Sequence, residues 1–324
     1  MKLTLYGFLL ALLSAALAYM APATAQTYPV KPIRIIVPYS PGGSTDVVLR
    51  ILAPRLAEDL GQQVLVENRP GAASTIGLDY VAKSPPDGYT VGIANIAYGA
   101  NPTLYKKMPF NAEKDLVPVS LVSIVTMVLS VHPSVPARSV KQLIALAKAK
   151  PGTLTYGSAG NGSANHLATA RFAHMTGINM VHVPYKGGGP AVVALVSGET
   201  AMLFATIPSA IQHFKTGRLI PLGVSRAKRD SSVPDIPTVA EAGVPGYDAV
   251  EWNGAMVPAG TPPAVIRRLH QAFVKAVAIP GVRERITGIG AELVGNSPDE
   301  FGTFLKRELA TWSKVVKEVG MRID

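Results

Sequence analysis

Short apolar runs alternate with amphipathic segments along most of the chain. The runs with the length and composition of strands cover residues 33–37, 64–66, 90–94, 154–156, 180–183, 201–204 and 220–224. Helical patterns, in which apolar residues recur on one face, lie between them. Strands that alternate with helices are typical of layered α/β proteins, so the pattern predicts an α/β fold with largely parallel sheets.

Several helix boundaries are marked by capping residues. Ser139 with Gln142, and Ser297 with Glu300, have the spacing of capping boxes. In a capping box, the side chain of each residue accepts a hydrogen bond from the backbone N–H group of the other. The second box begins a C-terminal helix whose apolar side chains recur at helical spacing. Pro54 conflicts with the helix that begins near residue 46, and we expect it to kink or split that helix.

Two apolar segments carry no helical pattern and interrupt the alternation. Residues 117–131 are the longest apolar stretch beyond the N-terminal region, and their serine, threonine and proline residues make them too polar to cross a bilayer. We interpret them as one long buried strand. Residues 250–258 are the second segment. If both segments cross between two lobes, residues 26–122 with 252–324 form lobe 1 and residues 123–251 form lobe 2.

The N-terminus has the pattern of an export signal. Lys2 precedes an apolar stretch over residues 3–20, and Ala23-Thr24-Ala25 then gives a cleavage site of small residues. This order predicts a signal peptide over residues 1–25 that is cleaved after Ala25. A membrane anchor is the alternative, but the apolar stretch is short and runs directly into the cleavage pattern.

Composition and charge narrow the possible functions. The chain contains no cysteine, which excludes disulfides, thiolate metal sites and the lipid anchor that some exported proteins carry. Its formal net charge is +10. That charge fits a basic solvated surface or a field that attracts anionic ligands. Nucleic-acid binding fits poorly, because no basic run is longer than Arg267-Arg268 and none is interleaved with aromatic residues.

Two loops rich in glycine and serine connect a predicted strand to a predicted helix. The first loop covers residues 38–46 and the second loop covers residues 157–166. The first N–H groups of a helix have no partner within the helix, and the helix dipole is positive at that end. Loops of this kind bind anions. Because the two loops fall in different predicted lobes, we expect them to grip one anion from two sides.

Motifs for catalysis, phosphate binding and metal binding are largely absent. No Gly-x-Ser-x-Gly elbow, phosphate loop or chelating histidine pair occurs, and the acidic residues show no pairing for acid–base work. An exported serine hydrolase that uses Ser44 or Ser163 with His166 remains the alternative function. His166 lies in the first turn of its helix, where a pocket role is possible. Asp46 is expected to accept N–H groups of the first loop rather than contact an anion.

A set of short motifs occurs in order along the chain. They are Tyr28-Pro29-x-Lys31-Pro32-Ile33-Arg34-x-Ile36-Val37-Pro38, Pro41-Gly42-Gly43-x-Thr45-Asp46, Val66-Glu67-Asn68-Arg69-Pro70-Gly71-Ala72, Pro86-Asp87-Gly88-Tyr89-Thr90, Asn101-Pro102-x-Leu104-Tyr105, Tyr156-Gly157-Ser158-x-Gly160-x-Gly162-Ser163 with His166, Val183-Pro184-Tyr185-Lys186-Gly187, and Trp252 with Pro258-Ala259-Gly260-Thr261-Pro262. Together they resemble the periplasmic solute receptors of tripartite tricarboxylate transporters, often called the Bug family, over nearly all of the mature chain.

The resemblance implies a two-lobed, periplasmic-binding-protein-like (Venus flytrap) fold with two crossing strands and a ligand between the lobes. It implies a periplasmic receptor without catalysis, cofactor or metal, which hands a small organic carboxylate to the membrane permease of a tripartite transporter. We expect a monomer. Carried over by position, the resemblance assigns ligand binding to Tyr39, Pro41, Gly42, Gly43, Ser44, Thr45, Asp46, Asn95, Ser158, Ala159, Gly160, Asn161, Ser163, His166, Tyr185 and Ala205.

One position departs from the family's pattern. Many members have an aspartate where this chain has Ala205, at the end of a predicted strand. An aspartate there would accept a hydrogen bond from a ligand amine or hydroxyl, and a methyl group does not. The resemblance therefore favours a plain mono- or dicarboxylate over a charged amino acid.

Overall fold

The computed structural model describes residues 28–322, in which strands and helices alternate as the sequence predicts. The predicted signal peptide and its cleavage site lie outside these residues. The strands are β1 (Ile33–Val37), β2 (Val64–Asn68), β3 (Thr90–Ala94), β4 (Leu116–Val125), β5 (Met127–Val131), β6 (Thr155–Ser158), β7 (Val181–Pro184), β8 (Met202–Thr206), β9 (Ile220–Val224), β10 (Glu251–Pro258) and β11 (Ala291–Leu293). The helices are α1 (Ser44–Leu60), α2 (Thr75–Ala82), α3 (Ile96–Leu104), α4 (Val140–Ala149), α5 (Ala164–Thr176), α6 (Gly188–Ser197), α7 (Ile207–Lys215), α8 (Pro263–Ala278), α9 (Pro280–Gly288) and α10 (Pro298–Val319).

The strands form two sheets, one in each lobe. The first sheet has the order β11-β4-β10-β3-β1-β2, and the second has the order β7-β6-β8-β5-β9. Strands β1, β2 and β3 are parallel, as are β6, β7 and β8. The remaining strands pair antiparallel with their neighbours. Both sheets are therefore mixed, and the expectation of largely parallel sheets holds only for β1–β3 and β6–β8.

The single long strand expected over residues 117–131 is wrong. The segment divides at Thr126 into β4, whose last residue Val125 pairs in the first sheet, and β5, whose first residue Met127 pairs in the second. The Thr126 hydroxyl donates to Asp230 Oδ2 at 2.6 Å. Both strands are almost entirely buried, so their apolar pattern continues through the point at which the chain changes sheets.

The return crossing lies next to the start of β10. The Ala249 N–H group donates to the Ser225 carbonyl just beyond β9, at 2.8 Å, and Glu251 already pairs with Val125 of β4. The two crossings are thus neighbours. The exact division of the chain into lobe 1 and lobe 2 remains a prediction.

The helix boundaries follow the local sequence signals in most places. Ser297 caps α10 with the complete box, in which its hydroxyl accepts the Glu300 N–H group and its own N–H group donates to Glu300. Ser139 caps α4 by accepting the Gln142 N–H group at 3.2 Å. Of the two outcomes expected at Pro54, a split does not occur, because α1 is one helix through that position, and the kink stays a prediction. Among the described residues, no helix has the length and apolar character needed to cross a membrane.

The core of the first lobe packs the C-terminal helix against the return crossing. Trp252 and Phe301 are buried side by side with ring centroids 6.0 Å apart, and Trp252 Nε1 donates to Glu308 Oε2 at 2.8 Å. Gly254 follows on the same strand, and a Cβ atom there would lie 2.0 Å from the Phe301 ring. The glycine is therefore needed for the close approach of α10 to β10.

Candidate functional site

Five helices begin at one cavity between the lobes. Gly43, Asn95, Ser163 and Thr206 are the N-cap residues of α1, α3, α5 and α7, and Gly188 is the first residue of α6. All five line what we call the inner cavity, which has a volume of about 30 Å³. The complete lining is Tyr39, Gly43, Ser44, Thr45, Asn95, Ala159, Ser163, Ala164, Asn165, Gly188, Thr206 and Glu251. Converging helix N-termini supply free N–H groups and positive potential, which together favour an anion.

This convergence follows from the chain topology. Helices α1 and α3 directly follow the parallel strands β1 and β3, and α5, α6 and α7 directly follow the parallel strands β6, β7 and β8. The carboxyl ends of parallel strands meet at one edge of a sheet, and ligands of open α/β sheets bind outside that edge. The two sheets present these edges to each other across the cavity.

The first loop is held from behind by Asp46. Its carboxylate accepts the Gly42 N–H group at 3.0 Å, Arg50 Nε at 3.0 Å and Asn68 Nδ2 at 2.9 Å. Burial alone would raise the pKa of Asp46, but the hydrogen bonds from Arg50, Gly42 and Asn68 outweigh it and hold the pKa below its ordinary value. Asp46 does not line the inner cavity. It supports the loop, as expected from its place in the first helical turn.

The second loop is held by a stack of three rings. The His166 and His182 rings are stacked with centroids 3.9 Å apart, and Tyr156 continues the stack 4.9 Å from His182. Nδ1 of His166 accepts the Gly162 N–H group at 2.9 Å, and Nε2 of His182 lies 2.6 Å from Ser158 Oγ.

Burial governs the protonation of both imidazoles. It lowers the pKa of His166 to about 3, with a further contribution from the charge of His182, and it lowers the pKa of His182 to about 4. Both rings are therefore neutral at neutral pH. A neutral ring is also what the hydrogen bond from Gly162 requires, because Nδ1 of His166 accepts it.

Tyr39 and Asn95 form the wall between the two loops. The Tyr39 hydroxyl donates to Asn95 Oδ1 at 3.1 Å, and the same oxygen accepts the Ala97 N–H group and so caps α3. Burial raises the pKa of Tyr39 well above its ordinary value, so the phenol keeps its proton. Asn95 Nδ2 donates to no described residue. It is a free amide donor at the inner cavity.

A buried carboxylate, Glu251, completes the inner cavity. Its Oε1 accepts the Ser44 hydroxyl at 2.7 Å and lies 3.3 Å from the Thr45 hydroxyl, which also contacts Asn253 Oδ1 at 2.7 Å. Asn253 Nδ2 in turn donates to Ser123 Oγ at 3.1 Å. Burial raises the pKa of Glu251, opposed by the two hydroxyl donors.

Glu251 was missed from the sequence because it lies on a crossing strand rather than on a loop. Ala164 and Asn165, which also line the cavity, fall within the predicted second loop, and Gly188 lies in a glycine-rich turn at the end of another predicted strand. Thr206 was not singled out from the sequence. The one available signal was Glu251 itself, an acidic residue within the otherwise apolar crossing segment 250–258.

A wider outer cavity of about 610 Å³ adjoins the inner one and shares Tyr39 and Ala159 with it. Its lining comes from both lobes, namely Tyr39, Ser40, Pro70, Gly71, Ala72, Ala73, Ser74, Tyr105, Ala159, Gly160, Asn161, Tyr185 and Lys186. Ala72, Ala73 and Ser74 have φ of 45°, 48° and 75°, a left-handed turn of three non-glycine residues. Such strained backbone is typical of ligand-binding sites.

The two lobes touch at the rim of this cleft. The Ser40 hydroxyl donates to the Lys186 backbone carbonyl, which joins the first loop to the segment before α6. A Cβ atom at Gly187 would lie 2.9 Å from the Cβ of Ser40. The lobes are therefore in direct contact, as in a closed receptor.

The residues assigned by resemblance fall into three groups. Those at the inner cavity are Tyr39, Gly43, Ser44, Thr45, Asn95, Ala159 and Ser163. Gly160, Asn161 and Tyr185 line the outer cavity, together with Tyr39 and Ala159. The residues that line neither cavity are Pro41, Gly42, Asp46, Ser158, His166 and Ala205. Ala205 is buried in β8, where it pairs with Val128. The direct ligand contacts of all these residues remain predictions.

The hydrolase alternative lacks its serine–histidine pair. The Ser44 hydroxyl donates to Glu251, and Ser163 Oγ is buried with no hydrogen-bond partner. In the part of the chain that the structure describes, neither serine is hydrogen-bonded to His166, whose Nδ1 accepts a backbone N–H group. Within residues 28–322 there is also no group of three histidine or acidic side chains placed to hold a metal ion.

Comparison with known proteins places this chain among solute receptors. A family model described as "Tripartite tricarboxylate transporter family receptor" matches residues 48–321. Protein BugT of Bordetella pertussis is 39% identical over 307 residues, which cover 94% of this chain and 94% of BugT.

Two solved structures of proteins from Rhodopseudomonas palustris are also similar. Rpa4515 with adipate has 35% sequence identity and a TM-score of 0.88, over 91% of this chain and 99% of that one. MatC with bound malate has 29% identity and a TM-score of 0.86, over 89% of this chain and 100% of that one.

Proposed function

The chain belongs to the tripartite tricarboxylate transporter receptor family, and we propose that it binds a small organic carboxylate between its lobes and delivers it to the permease subunits of such a transporter. The convergence of five helix N-termini on one cavity carries this proposal. A carboxylate matches that set of donors in charge. The adipate and malate in the structures of two similar proteins support the same ligand class.

The carboxylate lies between the starts of α1 and α5 in this proposal. The Gly42, Gly160 and Gly162 N–H groups are already paired within their own loops. The free N–H groups at the start of α1 therefore bind one side of the carboxylate, those at the start of α5 bind the other, and Asn95 Nδ2 adds a side-chain donor. Charge-assisted hydrogen bonds contribute about 1.5–3 kcal/mol each. Four or five of them, less the cost of association, reach the roughly 8 kcal/mol of micromolar binding.

The remainder of the ligand extends into the outer cavity, where Tyr185, Gly160 and Asn161 contact it. Asp46, Ser158 and His166 act through the loops they support, and Pro41 and Gly42 shape the first loop. A ligand that contacts both lobes stabilises the closed state by the contacts it makes only there. The closed receptor is then the form that the permease recognises.

The family is periplasmic, and the N-terminal pattern supports export of this chain. We propose that residues 1–25 are removed after Ala25 and that the mature receptor is a monomer. Intact-mass measurement of the exported protein tests the cleavage site, and light scattering tests the oligomeric state. A mass that retains the N-terminal residues, or a stable dimer, would contradict these two points.

A thermal-shift screen tests the ligand class. Adipate, succinate, malate, aspartate and propionate are each titrated into the purified protein at pH 7, with the matching amides or alcohols as uncharged controls. We expect at least one carboxylate to raise the melting temperature in a saturable way and its control to have no effect. No stabilisation by any small carboxylate would overturn the proposal.

A further inference from the structure

Glu251 presents an unused hydrogen-bond acceptor to the inner cavity. The side chain is only 5% exposed, and it lines the cavity. Its Oε1 is engaged by the hydroxyls of Ser44 and Thr45. Its Oε2 accepts no hydrogen bond from any described residue. Because Glu251 lines the inner cavity, a ligand bound there can supply the donor that the protein does not.

No protein cation neutralises this carboxylate. Among residues 28–322, no lysine, arginine or histidine forms an ion pair with Glu251. Burial of a carboxylate without a cation beside it is costly, and such groups are candidates for functional sites. The network through Ser44, Thr45 and Asn253 fixes its position but leaves Oε2 free.

The other polar side chains around the cavity do not supply the missing donor. The Tyr39 hydroxyl donates to Asn95, and Asn165 Nδ2 donates to the Phe204 carbonyl at 2.5 Å. The Thr206 hydroxyl is paired with Ser209 Oγ at 2.7 Å. The Ser163 hydroxyl also lines the cavity and has no partner, but it forms no hydrogen bond with Glu251. The other free donors are Asn95 Nδ2 and backbone N–H groups at the helix N-termini, which are assigned above to the ligand carboxylate.

A plain carboxylate fits poorly beside Glu251. Two carboxylates in a cavity this small repel each other unless a proton or another donor lies between them. A hydroxyl or ammonium group on the carbon next to the ligand carboxylate would provide that donor. It would satisfy Oε2 while the carboxylate occupies the helix N-termini.

We propose that Glu251 is a specificity-determining residue, which accepts a hydrogen bond from a hydroxyl or ammonium group adjacent to the ligand carboxylate. The inference rests on the proposed function and narrows it to 2-hydroxy and 2-amino carboxylates. It runs against the preference for plain acids drawn from Ala205. That residue lies within β8 and does not line the cavity, whereas Glu251 supplies an acceptor from the opposite lobe.

Malate and succinate provide the test, because they differ by a single hydroxyl group; aspartate replaces that hydroxyl with ammonium. Binding of each to the purified protein is measured by isothermal titration calorimetry at pH 7. We expect one enantiomer of malate or aspartate to bind at least about tenfold more tightly than succinate. Equal affinity for succinate, or tighter binding of succinate or adipate, overturns the inference and leaves the proposed function standing.

Glu251→Gln provides the second arm. Glutamine keeps the shape but loses the charge, and its Nε2 donates where Oε2 accepted. We expect the preference over succinate to fall to about twofold or less. Glu308→Gln is the matched control, since Glu308 also accepts hydrogen bonds in the same lobe but does not line the inner cavity. It should keep the wild-type preference.

The two arms separate the possible outcomes. A preference that survives in Glu251→Gln overturns the inference. If this variant does not fold, as judged by circular dichroism, the wild-type preference alone decides. Failure of every acid to bind overturns the proposed function and this inference with it.

Discussion

The two loops that face each other across the inner cavity end in the same kind of helix N-terminus, but they are held in place by different chemistry. Behind the first loop, Asp46 is a charged hub that joins the Gly42 N–H group, Arg50 and Asn68. Behind the second loop, two neutral imidazoles bind the loop instead: His166 accepts the Gly162 N–H group and His182 is paired with the Ser158 hydroxyl.

Both kinds of support hold a loop next to an anion site without repelling the bound anion. A negative charge close to the ligand would repel it, and Asp46 avoids this by facing away from the cavity and pairing with Arg50. Neutral histidine rings carry no charge, so they do not repel an anion bound at the second loop. The two braces should therefore respond differently to mutation and to pH.

Blocking the first loop should have the largest effect on binding. Gly43 has φ of −75°, and a Cβ atom there meets only the Ser40 carbonyl, at 3.7 Å. Gly43→Val therefore places a branched side chain at the carboxylate position without a left-handed backbone. We expect ligand affinity to fall by at least about 100-fold, or about 2.7 kcal/mol, with a nearly unchanged melting temperature.

Gly281→Val is the control for this prediction. An added Cβ at Gly281 meets no atom within 4 Å, and the residue lies in α9, away from both cavities. The ligand affinity of the Gly281→Val variant should match that of the wild type. Undiminished binding by Gly43→Val would show that the first loop does not hold the carboxylate.

Removal of the charge at Asp46 should have the next largest effect. Asp46→Asn leaves Arg50 without its ion-pair partner and weakens the hydrogen bond from Gly42. Loss of hydrogen bonds to a charged group typically costs about 1.5–3 kcal/mol, so urea unfolding should show a decrease of that order. Affinity should fall by about tenfold because the loop loses its fixed shape.

The control for Asp46 is another aspartate that pairs one helical turn away. Asp79→Asn removes the i,i+4 pair with Lys83 on α2, where the lysine is 64% exposed. Exposed pairs of this kind contribute about 0.5 kcal/mol or less. A loss of stability at Asp46 no larger than at Asp79 would contradict the role of Asp46 as a brace.

The pH dependence of stability separates the two braces. Burial lowers the pKa of His166 to about 3 and that of His182 to about 4, below the unfolded value near 6.5. The unfolded state therefore binds more protons below pH 6.5, and stability falls as pH drops from 6.5 towards these folded values. The free energy of unfolding can fall by at most about 1.4 kcal/mol per pH unit for each proton taken up, and partial exposure of His182 reduces this slope.

Asp46 acts in a different window. Its pKa is lowered in the folded state, so its contribution is complete above about pH 4 and is lost as pH falls further. The free energy of unfolding in urea, measured between pH 4.5 and 8, should therefore depend less on pH in the double variant His166→Gln/His182→Gln. Its pH dependence should be unchanged in Asp46→Asn. His174→Gln, at the exposed end of α5, is the control. An unchanged slope in the double variant would exclude the ring stack as the acid-sensitive element.

These regions also differ in how far the sequence could predict them. Both loops were found from their glycine and serine residues, because a strand-to-helix loop has a local pattern. The support from Asp46 was expected for the same reason, since it lies in the first turn of its own helix. The support from His182 was not predicted, because this residue reaches the second loop from the neighbouring strand β7.

Glu251 and Thr126 show the same limit at the crossings. The apolar run over residues 117–131 hides the change of sheet at Thr126, since both flanking strands are buried. Glu251 meets Ser44 from a position more than 200 residues away along the chain. Periodicity reports which face of an element is buried, but not which distant element covers it.

The smallest expected effect concerns the contact between the lobes. The Ser40 hydroxyl of the first loop donates to the Lys186 carbonyl of the other lobe, a bond that exists only when the lobes are together. Ser40→Ala should therefore weaken the closed state by about 0.5–1.5 kcal/mol, the usual net value of one hydrogen bond. Ligand affinity should fall by about two- to tenfold, because binding is coupled to closure.

Ser84→Ala removes a hydroxyl-to-carbonyl bond of the same type, to Tyr80 at 2.8 Å within one lobe, and should leave affinity unchanged. Calorimetry on both variants makes the comparison, and equal affinities would mean that the Ser40 contact does not contribute to closure.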